Sequence, residues 1–259
     1  MNEVRSDNAI PQPAGRESRR QLVYELASGA SGLALALFMW GHMLLVGSIL
    51  TGERGFDWLA TFLEDYYIAQ PTVVVVLALF LLHAALASRK VPAQLRERRR
   101  MTAVGRALEQ AGRGLPGSAN PASAFRPHVE SLLWIWQVRS GMLILVLGSF
   151  HVILLGVDVL TPLFGERAGI EAATSVARVR GGLWLVYAIL LVAVEFHASV
   201  GLYRLAIKWG AGSRLSRRTL HMIERVLLWV FLGLGALVLL VLAGVLPPPL
   251  GFLLPGTGA

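Results

Sequence analysis

Apolar and polar positions fall into blocks along this chain. Five long apolar runs, 26–52, 66–88, 131–157, 181–203 and 226–247, are separated by charged or Gly/Pro-rich stretches. Each is long enough to cross a hydrocarbon layer of ~30 Å as a helix rising ~1.5 Å per residue. The pattern predicts an all-α integral membrane protein with five transmembrane helices. A polar arm, 1–25, precedes this membrane domain of 26–247, and an uncharged Pro/Gly tail, 248–259, follows it. Between the runs lie a short acidic loop (53–65), a long polar segment (89–130) with a Gly/Pro/Ser-rich turn at 112–121, a mixed loop (158–180) and a basic stretch (204–225). Residues 1–21 are polar and the first apolar run is too long for a signal peptide, so none is expected.

Composition supports this class and narrows the chemistry. The chain is 55% apolar, 15% charged and carries a net charge of +8. It has no cysteine, so disulfides, thiolate-bound zinc and iron–sulfur ligation by this chain are excluded. The basic residues cluster in the segments between spans, which reads as membrane topology and not as a nucleic-acid surface. Arm, 89–130 segment and 204–225 segment hold 4, 9 and 6 Lys and Arg, whereas the 53–65 loop, the 158–180 loop and the tail hold 1, 3 and 0. This asymmetry predicts a cytoplasmic amino terminus and an external tail.

Several ionisable residues interrupt the apolar runs: His42, His83, Arg139, His151, Glu195 and His197. Such a group inside a bilayer costs several kcal/mol unless it is paired, ligated or neutral. His42 lies eight residues before Leu50 and His151 six before Val157, on spans running outward; His83 lies six before Arg89 and His197 seven before Arg204, on spans running inward. Each histidine is therefore ~9–12 Å below its nearer membrane face. His42 and His151 share an outer level; His83 and His197 share an inner one. One lone histidine in a span more often satisfies a core hydrogen bond. Four of them, two per level on four separate spans, give the layout for two bis-histidine haems stacked across the membrane. Small residues leave room for a flat macrocycle: Gly148 three before His151, Gly201 four after His197, Ala87 four after His83. Such residues also simply pack helices together.

On the fourth span Ala193, His197, Gly201, Arg204 and Lys208 share one helical face, with cations placed to meet carboxylates, though positive-inside topology alone also accounts for Arg204 and Lys208. Glu195 points nearly opposite. Arg139 either pairs with an inner-haem propionate or snorkels to the headgroups. His128 and His221, in basic segments, look like ordinary surface residues.

The stretches Leu37-Phe-Met-Trp-Gly-His42-Met, Phe80-Leu-Leu-His83-Ala, Gly148-Ser-Phe-His151 and, most specifically, the run from Val194 through Glu195, His197 and Lys208 to Gly210 are similar to the dihaem cytochrome b subunits of menaquinol:fumarate reductases and their succinate dehydrogenase relatives. The resemblance covers all five spans. It implies an outer haem on His42 and His151, an inner haem on His83 and His197, and menaquinol or menaquinone as substrate. It further implies partners in a cytoplasmic iron–sulfur subunit and a flavoprotein subunit that interconverts fumarate and succinate. A dimer of the whole complex stays open. The resemblance places the quinol proton acceptor at Glu64, a proton-carrying glutamate at Glu195 and haem-propionate contacts at Trp134 and Lys208, with Arg178 nearby but offset. The polar pair that opens the first span in relatives is Ser28-Gly29 here, and Arg139 stands where an apolar residue is expected. The function expected is a bacterial inner-membrane anchor that oxidises menaquinol. Alternatives are the same anchor running as a succinate:menaquinone reductase, or a haem-free proton-coupled transporter, a reading lowered by the lack of an inverted repeat or paired broken helices.

Overall fold

The computed structural model describes residues 15–112, 129–161, 171–210 and 213–254. Their order is α1 (Gly15–Gly47), a 3₁₀ turn (Ser48–Thr51), α2 (Glu53–Asp65), α3 (Ala69–Ser88), α4 (Val91–Gly112), α5 (Val129–Leu160), α6 (Ala172–Arg178), a π turn (Val179–Leu183), α7 (Trp184–Lys208), α8 (Arg217–Leu242) and a final 3₁₀ turn (Gly251–Leu253). Five of the helical stretches are long and apolar enough to cross a membrane, as the hydropathy blocks predict. The boundaries shift because polar residues extend the helices past the apolar runs. α1 begins inside the polar arm at Gly15, and α8 begins at Arg217, where Ser216 accepts a hydrogen bond from the Thr219 amide at 3.1 Å. α3 tolerates Pro71 because it lies in the first turn, where an amide hydrogen has no helical partner.

Two expected loops are helices. The short acidic stretch forms α2, which buries Gly55, Phe56 and Ala60 and exposes Trp58 and Phe62. The long polar segment forms α4 over its first half. The expected turn at 112–121 lies outside the described residues beyond Gly112, as does His128.

The buried apolar core sits at one end of the bundle. Ile49, Leu50, Phe56, Ala60, Ala172, Val179, Val238, Val241 and Leu242 pack together there, joining the ends of α1 and α8 to α2 and α6. The tail folds back on this cap, with the Leu250 amide donating to the Leu50 carbonyl at 2.9 Å. Asp57 accepts from the Ala172 amide at 2.7 Å, satisfying the first orphan donor of α6. Gly182, at φ 107°, lets the chain kink between α6 and α7. Next to this kink Arg178 and Asp158 form an ion pair of 2.8 Å, with the residues only 4% and 0% exposed.

At the opposite, basic end, Glu25 of α1 bridges Lys90, at 2.5 Å, and Lys208 of α7. Between the two ends, α1 packs along α3, α5 along α7 and α7 along α8. Leu191 of α7 meets Gly235 of α8, and Trp40 of α1 stacks on Phe231 of α8 with ring centres 5.2 Å apart. Backbone approach between α1 and α5, or between α3 and α7, is sparse. The middle of the bundle is thus two hairpins, α1–α3 and α5–α7, set side by side.

Candidate functional site: paired histidines between two hairpins

His83 and His197 face each other across the seam between the hairpins. Their ring centres are 6.3 Å apart and the rings are perpendicular, at 88°. His83 Nδ1 lies 3.2 Å from the Ser28 carbonyl and 3.2 Å from Ser31 Oγ, both on α1. His197 Nδ1 lies 2.9 Å from the Gln137 carbonyl and 3.3 Å from Ser140 Oγ, both on α5. A carbonyl only accepts, so each Nδ1 carries the proton and each Nε2 keeps its lone pair. Both serine hydroxyls donate back to the same carbonyls, Ser31 to Ser28 at 3.2 Å and Ser140 to Gln137 at 3.0 Å.

The glycine after each serine completes the cradle. A Cβ added at Gly32 would lie 2.8 Å from His83 Cε1, and one added at Gly141 would lie 2.9 Å from His197 Cε1. A substituted position would drive the ring out of place. The Ser-Gly pair recurs at a fixed distance from the other two histidines. Gly32 to His42 is ten residues (42 − 32), and Gly141 to His151 is ten (151 − 141). On a helix ten residues span ~15 Å. Each of α1 and α5 therefore carries one histidine toward the cap and, ~15 Å away, a cradle for a histidine of its hairpin partner.

These residues fit a metal bound axially. An imidazole nitrogen sits ~2.0 Å from a first-row metal and ~1.1 Å from its own ring centre, so two rings on one metal have centres ~6 Å apart. The 6.3 Å separation meets that requirement. Among the described residues no three His, Asp or Glu side chains gather as a metal site.

The cap-side histidines are held differently. His42 stacks on Phe38 of its own helix, with ring centres 5.8 Å apart. His151 meets Tyr187 of α7 edge-on at 5.5 Å, and its Nδ1 is buried without a hydrogen-bond partner among the described residues.

The remaining candidates scatter. Glu195 is 2% exposed on α7, one turn after Leu191, the residue that packs on α8. Glu64 is exposed near the end of α2, where the chain turns toward α3. Lys208 is held by Glu25, and Arg204 is half-buried one turn before it. Trp134 donates from Nε1 to Gln94 Oε1 of α4 at 3.1 Å. Arg178 donates to Asp158 and, from Nη2, to Ser175 Oγ at 3.1 Å, which occupies it inside the cap.

Arg139 lies away from the paired histidines. It is exposed, with Cζ 5.2 Å from the Trp136 ring centre. At ~100° per residue it points ~160° away from Gly141, on the opposite side of α5 from the cradle. His221 is also more than a surface residue. It stacks on buried Tyr203 with ring centres 4.1 Å apart, and its Nδ1 lies 3.1 Å from Oε2 of buried Glu224. Sequence reading missed both serines, Gln137 and the two cradle glycines. The repeated Ser-Gly spacing was the signal that could have found them.

Comparison with known proteins gives the chain a family. Residues 119–241 match the family described as Succinate dehydrogenase/Fumarate reductase transmembrane subunit. The chain is 32% identical over 206 residues to the fumarate reductase cytochrome b subunit of Wolinella succinogenes, covering 76% of this chain and 71% of that protein. It is 31% identical over 219 residues to the subunit of the same name from Helicobacter pylori, covering 82% of this chain and 76% of that one. Five membrane-length helices and relatedness over more than two thirds of each chain lead to one conclusion: the chain belongs to the succinate dehydrogenase/fumarate reductase transmembrane subunit family.

Proposed function

We propose that this chain, a multi-pass protein of the bacterial inner membrane, anchors a fumarate reductase and oxidises menaquinol through two b-type haems. The observation that carries the reading is the facing pair His83 and His197, with each Nδ1 proton committed and each Nε2 left as a ligand. His83 and His197 would hold one iron, His42 and His151 the other. When bound, the haems supply one-electron carriers between the quinol and an iron–sulfur subunit. The chain's own work is to fix the ligands, exclude water and move protons. A cytoplasmic amino terminus puts the basic end, with the Glu25–Lys90–Lys208 bridge, on the side of the iron–sulfur and flavoprotein subunits.

Glu64, exposed on the cap side, is the base that takes the quinol proton. Glu195 has a different task. Two electrons moving inward against a membrane potential cost ~2.3 kcal/mol each per 100 mV, and parallel proton transfer cancels that cost. A buried carboxyl on α7, turned away from the ligand face, supplies the titratable group such a path needs.

The deciding experiment is reduced-minus-oxidised spectroscopy of the purified complex with haem quantification. Two b haems per chain are expected, and none would end the reading. Glu64→Gln should abolish quinol oxidation while fumarate reduction by an artificial donor persists; normal quinol turnover would remove Glu64 from its role. Glu195→Gln in proteoliposomes should keep its haems but lose quinol-driven turnover. Normal turnover without a membrane potential would remove Glu195 from the proton path.

A further inference from the structure

Arg139 and the first half of the 89–130 segment have no part in the histidine site, and the structure puts them together. α4 and α5 border an open groove of about 860 Å³. Arg99 and Arg106, seven residues apart on one face of α4, line it together with Arg139 of α5. Its apolar wall comes from Leu95, Leu132, Ile135 and Met142. Among the described residues no carboxylate lines it. Trp134 fastens α5 to Gln94 at one edge, and Trp136 holds the Arg139 guanidinium against its ring.

We propose that this groove binds an anionic phospholipid, its phosphate on the three arginines and its acyl chains along the apolar wall. Three guanidiniums without a carboxylate favour a phosphodiester, which each can meet with parallel N–H donors. They disfavour a headgroup that carries its own ammonium. A soluble anion would have no use for the apolar wall, whereas a lipid uses both halves. The site also explains an arginine inside an apolar span. Arg139 lies eight residues, ~12 Å, past Ser131, where the span begins, and its contact with Trp136, three residues back, turns the guanidinium toward that end. There it meets a basic helix at the level where tryptophans gather and cations attract anionic lipid.

The test uses the intact complex, stripped of lipid in detergent and titrated with phosphatidylglycerol or phosphatidylcholine while bound lipid is counted by native mass spectrometry. Wild type should bind phosphatidylglycerol at least about ten-fold more tightly than phosphatidylcholine. The triple variant Arg99→Gln/Arg106→Gln/Arg139→Gln should lose that preference, and Arg106→Gln alone should lose part of it. Gel filtration and circular dichroism report whether each variant folds. Equal binding of the two lipids by wild type, or an unchanged preference in both variants, would overturn the proposal. So would displacement of the lipid by millimolar inorganic phosphate, which would mean that the site reads phosphate alone. Cross-links from this groove to a catalytic subunit would give it a protein occupant and overturn it equally.

Discussion

The basic-side and cap-side histidine pairs use the same two hairpins, yet the protein treats them differently. His83 and His197 are oriented by the protein itself: each is held by a carbonyl and a hydroxyl from the neighbouring helix and seated over a glycine. His42 and His151 rest on Phe38 and Tyr187, and His151 Nδ1 has no partner among the described residues. A metal ligand whose second nitrogen is tied down has a fixed tautomer and greater basicity. The difference teaches that the four histidines are placed symmetrically in the sequence, whereas the protein groups that hold their rings are not. On the proposed ligation, the basic-side haem should be the more rigidly held of the two.

Removing ligands gives the largest effect. His83→Ala and His197→Ala should each abolish one spectral component, and His42→Ala and His151→Ala the other, each leaving about half the haem absorbance. If His42→Ala and His83→Ala lost the same component, the division into two levels would fall. Next comes the cradle. Gly32→Ala or Gly141→Ala puts a methyl group under 3 Å from a ring, an overpacking cost of ~1–3 kcal/mol. Basic-side haem retention should drop by roughly 5- to 100-fold. A Cβ at Gly41, beside His42, meets nothing within 4 Å, so Gly41→Ala should leave the cap-side haem in place. Equal losses from the three variants would erase the contrast.

Smaller effects test the hydrogen bonds. Ser31→Ala or Ser140→Ala removes one acceptor from Nδ1 but leaves the carbonyl. A bond worth ~1 kcal/mol corresponds to ~40 mV for one electron, which bounds the shift. The direction should be upward, because a less basic imidazole favours the oxidised iron less. A redox titration in which only the cap-side component moves would contradict the assignment. Arg139→Leu should do least, changing the basic-side potential by under ~10 mV, since Arg139 lies on the far side of α5 and its charge is screened. A large drop there would make an inner-haem propionate its partner.

Hydropathy blocks made the five spans legible, because membrane-length apolar runs have few other uses. Counting residues gave expected depths for the four histidines, and in the structure the rings of His83 and His197 lie 6.3 Å apart. α2 was not legible as a helix, because its apolar stripe is short and its acidic residues dominate the composition. The cradle was hidden for another reason. Its principal acceptors are main-chain carbonyls of Ser28 and Gln137, which any residue could offer. His221 looked like a surface residue because its partners, Tyr203 on another helix and Glu224 one turn on, are brought together only by the packing of α7 on α8.

The sparse seam between the α1–α3 and α5–α7 hairpins has a consequence for how the subunit is made. On the proposed ligation, each hairpin emerges from the ribosome with half of the ligands for both irons. The apolar cap, the Glu25 bridge and the Trp40–Phe231 stack tie the hairpins through α1 and α8, and each haem would add a further link between them. Binding energy gained only by the assembled form is folding energy. On that ligation, haem supply would set the stability of the assembled anchor, and a chain inserted during haem shortage would lack the links that the two irons add.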